Sequence, residues 1–567
     1  MARNDRNKFD ETPVIPNIFD DDGDVQVYGT GVLGGKGAGL IKIRECRLSR
    51  ALKLKTRILT TSYYDRYLER GGDFAREDLE TFSAILGDLE GMPISIRSSA
   101  TNEAGFGEEG AGSVRSGENR SFMLPNNHAQ ADRRFAQFKK AVRFVYEDFR
   151  QKQSQGSREK MAIVVNPIPG IHEETLAGPV YFPLVSGVAN SYFPYALKTQ
   201  DPNEGFARIA FGHGYATVFD EFPVISMATI KNPLPLKMMG PPQRFFYAVD
   251  MTRNEDLAGE ELETMKQIHV RFASRRVTEG PGWDKDAVTF TPLVEEDRFG
   301  FRQGLLNLME AIRAQASNHF QIEFVFNIVP SGGGTPAGIF HIVQLTRLPE
   351  LTFEPVHFPD PPGRSFISLK NFQGHGTKAG IRQALVVSPF LYAKDRRRDV
   401  RNGIATINQA LREKGEPYIM IVPGRLGSSN RDWGIQVEYR DIDKAAAIFE
   451  YGVDVAGRPE PLKEPEQPAT GGIYGSHFLY MIQGGYDEDQ KRLKTRIYGT
   501  QGTHFLTNLV SQNVIYGFLS PLEDRIDPWF FRPAADGSLV HLLEFPKPVT
   551  VYADSTLHRC VVESEGE

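Results

Sequence analysis

Apolar positions along the first 350 residues switch repeatedly between two periods. Residues 93–98 (PISIRS) and 161–166 (MAIVVN) are short, apolar-rich runs, the pattern of buried strands. Between them, Phe135, Phe138, Val142, Val145 and Phe149 recur at three- or four-residue spacing, which predicts a helix over 131–151 with one buried face. Further on, 321–324 (QIEF) and 341–347 (HIVQLTR) predict two antiparallel strands joined by a glycine-rich turn, SGGGTPAG. Period-two alternation puts Gln321, Glu323 and Val325 on one face. Residues 348–364 hold five prolines and few helix formers, so the chain is expected to break there. Beyond the break, 401–414 predicts a helix, 418–422 a buried strand and 434–439 another strand, while 458–472 reads as an exposed loop. Strands and helices alternate in both halves, which predicts an α/β (α+β) class. The expected organisation is a domain over 1–350, a linker over 351–365 and a separate α/β C-terminal domain over 366–567.

Composition narrows the function classes. The 567 residues suit several domains, and 40% hydrophobic with 24% charged residues is an ordinary globular balance. A net charge of -6 argues against a nucleic-acid partner, which calls for a concentrated basic surface. Cys46 and Cys560 are too far apart in sequence to read as a metal knuckle or redox pair, and so few thiols fit a reducing compartment. The opening residues MARNDRNKFDETP lack the apolar run of a signal peptide, and no stretch nears the roughly 20 apolar residues that span a bilayer. A soluble, cytoplasmic chain without a membrane partner is the expectation.

Three stretches carry candidate chemistry. In residues 33–40 (LGGKGAGL), glycines leave the backbone free to approach a bulky anion and Lys36 offers a point charge for phosphate. The plainer alternative is a flexible turn before a helix starting near Leu40. In residues 94–101 (ISIRSSAT), a strand ends in Arg97, whose guanidinium can fork onto phosphate oxygens, and Ser98, Ser99 and Thr101 add hydroxyls. The five glycines between 105 and 117 suit a lid that closes over phosphates, or a surface loop with a salt-bridged arginine. In the closing hairpin, Glu323 can bind magnesium through one carboxylate plus phosphate oxygens, with Gln344 pointing into the same space. Its alternative is a hairpin with one buried, hydrogen-bonded glutamate.

Taken in order, these pieces resemble the ATP-grasp-like, two-subdomain nucleotide-binding region of the phosphoenolpyruvate synthase and pyruvate phosphate dikinase family. LGGKGAGL is similar to that family's opening loop, and ISIRSSATNEAG to its Val-Arg-Ser-Ser-Ala-Thr segment. GFARIAFGHGYATV is similar to its Gly-Leu-Gly segment, and QIEF with IVQLTR to its closing Asp-Ile-Glu and Gln-x-Arg hairpin. The likeness spans roughly residues 25–350. It implies that Lys36 and Arg97 contact ATP phosphates, with Ser98 and Ser99 beside them. It further implies that Val164, Val165 and Asn166 border the adenine, that Glu323 binds magnesium, and that Gln344 sits near the phosphates and metal. Gln321 stands where the family carries an acidic metal ligand, His213 replaces a leucine between two glycines, and an extra residue separates Gln344 from Arg347.

The family passes its phosphoryl group through a histidine in a Gly-Gly-x-x-Ser/Thr-His-Ala segment to a C-terminal pyruvate-binding barrel. This chain has no such segment, and about 200 residues after the break are too few for a barrel. The second half is similar to a C-terminal domain of uncharacterised bacterial family members, which brings no reaction with it. Its residues 423–430 can form an anion-holding loop around Arg425, or simply connect two strands. His477 (YGSHFL) and His504 (QGTHFL), with His375 (GHGTK) behind them, are candidate phosphoryl acceptors, or plain helix-capping and strand-end histidines. The expectation is an ATP- and magnesium-dependent phosphotransferase acting on a small-molecule or protein acceptor. The competing expectation is a nucleotide-binding sensor, or one subunit of a split enzyme, without turnover.

Overall fold

The computed structural model describes residues 24–46, 48, 51–103, 119–153, 157–192, 202–218, 225–227, 230–231, 243–252, 264–316, 318–329, 336–348, 354–360, 362–370, 372–388, 391–392, 394–423, 425–427, 434–451, 486–487, 492–493, 505, 508–509, 512–519 and 524–564. It is a mixed α/β protein with several sheets.

The first sheet has five strands. Strand Met161–Pro167 lies at its centre, antiparallel to Ile94–Ala100 on one side and to Thr56–Leu59 on the other. Both 94–100 and 161–167 are buried along their whole length, which is why they read as continuous apolar runs rather than alternating ones. Helices Thr61–Glu69, Arg76–Asp88 and Ala131–Lys152 cover one face. Their inward residues, among them Tyr64, Tyr67, Phe82, Phe138, Val142, Val145 and Phe149, form one core with Ile94, Ile96, Ile163 and Val165 of the strands. Each such large side chain contributes roughly 1.5–3 kcal/mol by leaving water.

The second sheet runs Ile225–Met227, Phe206–Phe211, Val185–Asn190, Phe320–Val329, Ala337–Arg347 and Ala51–Lys53. Its centre is the predicted hairpin, paired from Phe320 opposite Arg347 to Val329 opposite Ala337, with a bulge after Glu323. Helix Phe301–Arg313 lays Phe301, Leu305, Leu308, Met309 and Ile312 on this sheet's core. A third sheet of four strands, including Gly178–Phe182 and Phe245–Asp250, shares that core.

Among the described residues, the second half is built on a nine-stranded mixed sheet. Gly376–Val387, Tyr418–Pro423, Ala445–Tyr451 and Ile515–Leu519 run parallel, and Val540–Asp554 pairs antiparallel with the first of them. Helix Arg397–Lys414 packs Val400, Ile404 and Leu411 on one face and ends at Gly415, whose φ of 71° lies in the left-handed region that favours glycine. The opposite face is filled by Phe366, Trp529, Phe530 and Phe545. The strand expected over 434–439 covers only Gly434–Ile435, because the chain turns into a 3-10 segment at Tyr439–Asp441 capped by Asp441 on the Glu438 N–H. The proline-rich connection is tied down: Val356 N–H donates to Asp554 Oδ2 at 3.1 Å, and the Glu354 carbonyl contacts His375 Nε2 at 2.6 Å. Among the described residues, no helix is long and apolar enough to cross a membrane.

Candidate functional site

The glycines of LGGKGAGL act by close packing. The helix begins at Gly34 and runs to Glu45, so the start expected near Leu40 is six residues too late. A Cβ at Gly34 would lie 2.0 Å from the Ser99 carbonyl oxygen, one at Gly35 2.6 Å from that of Glu103, and one at Gly39 1.9 Å from that of Leu345. Bare backbone therefore lets this helix wedge between the first sheet and the hairpin of the second. Ser99 Oγ fastens the wedge, donating to Leu33 O at 2.8 Å and accepting from Gly37 N–H at 3.1 Å. Lys36, in the first helical turn, bonds Glu103 Oε1 at 2.6 Å. With side chains only 14% and 7% exposed, this pair is little screened by solvent.

Arg97 crosses from the first sheet to the hairpin. Its guanidinium donates to Val343 O at 3.1 Å, Glu323 Oε2 at 2.5 Å and Gln344 Oε1 at 2.6 Å. Glu323 and Gln344 sit directly opposite each other in the ladder, so one guanidinium meets both. Gln344 Nε2 in turn donates to Thr346 Oγ1 at 2.8 Å.

Lys36, Arg97, Glu323 and Gln344 all line one cavity of about 770 Å³. That size is ordinary for a small-molecule site. The first sheet contributes Ser95 and Met123, the second Ser186, Gly187 and Thr346, and the third Tyr247. The second half of the chain reaches the same space through Glu438 and Arg440, which pair at 2.9 Å.

Other expected site residues lie elsewhere. Ser98 Oγ faces Asn119 O at 3.4 Å, and Ser98 and Ser99 are both fully buried outside the cavity lining. Val164, Val165 and Asn166 are locked inside the first sheet, with Asn166 Nδ2 donating to Lys55 O at 2.9 Å and Thr56 Oγ1 at 2.7 Å. It is the continuation, Pro167, Ile168 and Pro169, that lines the cavity. Gln321 directs its amide to Asn190 Oδ1 at 2.8 Å and does not line the cavity, although it shares the strand with Glu323. Thr346 rather than Arg347 shares the cavity with Gln344, as period two requires. His375 is buried, with its ring nitrogens against Ser555 Oγ at 3.0 Å and Glu354 O at 2.6 Å, so it fastens the connection instead of facing a ligand. The glycine-rich stretch 105–117, His477 and His504 lie outside the described residues, as do residues 424 and 428–430 of the loop around Arg425.

Sequence reasoning gave no role to two residues of the cavity lining, His213 and Glu103. His213 lines the cavity, and its pKa is pushed down to about 4 by burial first and by Arg97 second, with Glu323 opposing. The ring is therefore uncharged near neutrality. The signal was the Gly-His-Gly triplet itself, since two flanking glycines leave the imidazole the only side chain there.

Among the described residues, no group of three or more His, Cys, Asp or Glu side chains is placed to hold a metal ion. Glu323 and Gln344 stand side by side as oxygen donors, each with an oxygen bonded to the Arg97 guanidinium. The chain matches no family model, and no curated protein matches it.

Proposed function

We propose that this cavity binds ATP and that the chain is an ATP- and magnesium-dependent phosphotransferase, its first 350 residues an ATP-grasp-like region of the phosphoenolpyruvate synthase and pyruvate phosphate dikinase type. One observation carries the reading. Arg97 and Gln344, 247 positions apart, bond each other at 2.6 Å in a cavity that Lys36 and Glu323 also line. These are the four residues whose types and order first suggested a triphosphate.

In this reading Lys36 and Arg97 neutralise negative charge on the phosphates, which is most of what phosphoryl transfer asks of a protein. Glu323 and Gln344 would hold magnesium, which would supply further charge neutralisation to the phosphates. Pro167–Pro169 offer an apolar wall for the base. Glu438 and Arg440 bring the second half to the cavity, where it can contribute to binding an acceptor, either a small molecule or a protein.

Incubating the full chain with ATP, magnesium and candidate acceptors should release ADP or AMP, and Arg97→Ala should abolish the release. Failure of the wild type to release either nucleotide under all acceptors tried would overturn catalysis. A second reading, nucleotide binding without turnover, is favoured by Gln321, whose amide is committed to Asn190 where the family places an acidic ligand. ATP binding measured without hydrolysis would select it.

A further inference from the structure

The turn carrying His213 is anchored on both sides. Gly212 has a φ of 88°, and a Cβ there would lie 2.8 Å from Tyr247 O. Its carbonyl accepts from Ser186 Oγ at 2.8 Å. His213 N–H donates to Tyr247 O at 2.8 Å, and Thr217 Oγ1 donates to Gly214 O at 2.7 Å. Two sequence-distant groups, Ser186 and Tyr247, and the local Thr217 hydroxyl thus hold the backbone, and the imidazole is presented to the cavity from a rigid frame.

The ring's own bonding fixes its tautomer. Tyr215 N–H donates to His213 Nδ1 at 3.3 Å, so Nδ1 carries the lone pair and the proton of the neutral ring resides on Nε2. No described residue accepts from Nε2, and the side chain lines the same cavity as Arg97 and Glu323.

We propose that His213 is a ligand-binding residue of the ATP site, its Nε2–H donating to a phosphoryl oxygen beside the Arg97 guanidinium. The inference rests on the nucleotide reading. An uncharged donor suits this position, because it binds phosphate oxygen without adding a cation that Arg97 would repel. The same tautomer leaves no lone pair on Nε2 to attack a phosphoryl group. A leucine in this place, as the family carries, makes no such bond.

The test uses the full chain with magnesium-ATP and, separately, inorganic tripolyphosphate in calorimetric titrations. His213→Leu should weaken both by about tenfold, the typical effect of losing one hydrogen bond to a charged group. His213→Gln, whose amide N–H reaches close to the Nε2 position, should stay within about threefold of the wild type. Wild-type affinity in His213→Leu, or a loss confined to ATP and absent for tripolyphosphate, overturns the inference and leaves the nucleotide reading standing. Nitrogen-15 spectra of histidine-labelled wild type give an independent readout, free of any folding defect in a variant. They should show the Nε2–H tautomer at His213 and a change at Nε2 on adding ATP, whereas an Nδ1–H tautomer would sink the inference. Absence of any wild-type ATP binding would overturn the nucleotide reading and this inference with it.

Discussion

Replacing Arg97 with methionine keeps much of the side-chain stem and removes the guanidinium that joins the first sheet to the hairpin. Three bonds go with it, to Val343 O, Glu323 Oε2 and Gln344 Oε1. The Arg97 and Glu323 side chains are 10% and 14% exposed, so solvent screens the pair weakly. Stranding one member of a buried ion pair costs about 3–5 kcal/mol. The lower end applies, because the Glu323 carboxylate borders a cavity and can recover part of its hydration, so Arg97→Met should destabilise by about 3 kcal/mol. Glu323→Gln in the Arg97→Met background removes the stranded charge and should recover much of that loss. The double variant should then fall short of the sum of the singles by about 2 kcal/mol. Urea titration followed by amide exchange on strands Ile94–Ala100 and Phe320–Val329 localises the loss to the sheets that meet at the site, which matters for a chain with several cores. Additivity within about 0.5 kcal/mol would show that the two side chains do not interact, and would refute the reasoning.

Gly39→Ala drives a methyl group into the Leu345 carbonyl at 1.9 Å, so it should destabilise by about 3 kcal/mol and weaken any ligand held by Lys36. Gly87→Ala, on an open helical face with nothing within 4 Å, should instead stabilise by about 0.5–1 kcal/mol, and thermal melts of both variants check the contrast. His341, on the hairpin, has its pKa pushed down to about 3 by burial. An unfolded histidine titrates near 6.5, so between about 6.5 and 3 the unfolded chain holds a proton that the folded chain refuses. Its stabilising effect is present above that window and is lost as pH falls through it, by a few kcal/mol in total. His341→Leu should flatten the fall in stability between pH 7 and pH 5, as read from urea midpoints, and an unchanged slope would contradict the assignment.

Much of the framework could be read from the chain because burial on one face or two leaves a periodic mark. The helix over 131–152 and the strands over 94–100 and 161–167 were legible for that reason. So was the pairing of the Glu323 and Gln344 strands, where period two and a glycine-rich turn agreed. What escaped depends on contacts across sheets. Gly34, Gly35 and Gly39 suggested room for an anion, but their missing Cβ atoms are filled by backbone from Ser99, Glu103 and Leu345, which no local pattern encodes. Gln321 obeys the alternation yet turns to Asn190, a residue on a neighbouring strand that alternation within one strand cannot reveal. The resemblance put Val164–Asn166 beside the base, whereas the part of this strand that lines the cavity begins at Pro167, and the apolar run gives no sign of where that happens. His213 was visible as an oddity between glycines, while its role needed the ring's partner and surroundings.

The central claim is that Lys36 and Arg97 face a triphosphate in the cavity shared with Glu323. Isothermal titration of the full chain with magnesium-ATP measures this directly, run beside Lys36→Gln. One saturable site in the wild type, weakened at least about tenfold in the variant, is the predicted result, as expected for loss of a charge-assisted phosphate contact. No binding heat in the wild type, or equal affinity in the two proteins, would contradict it.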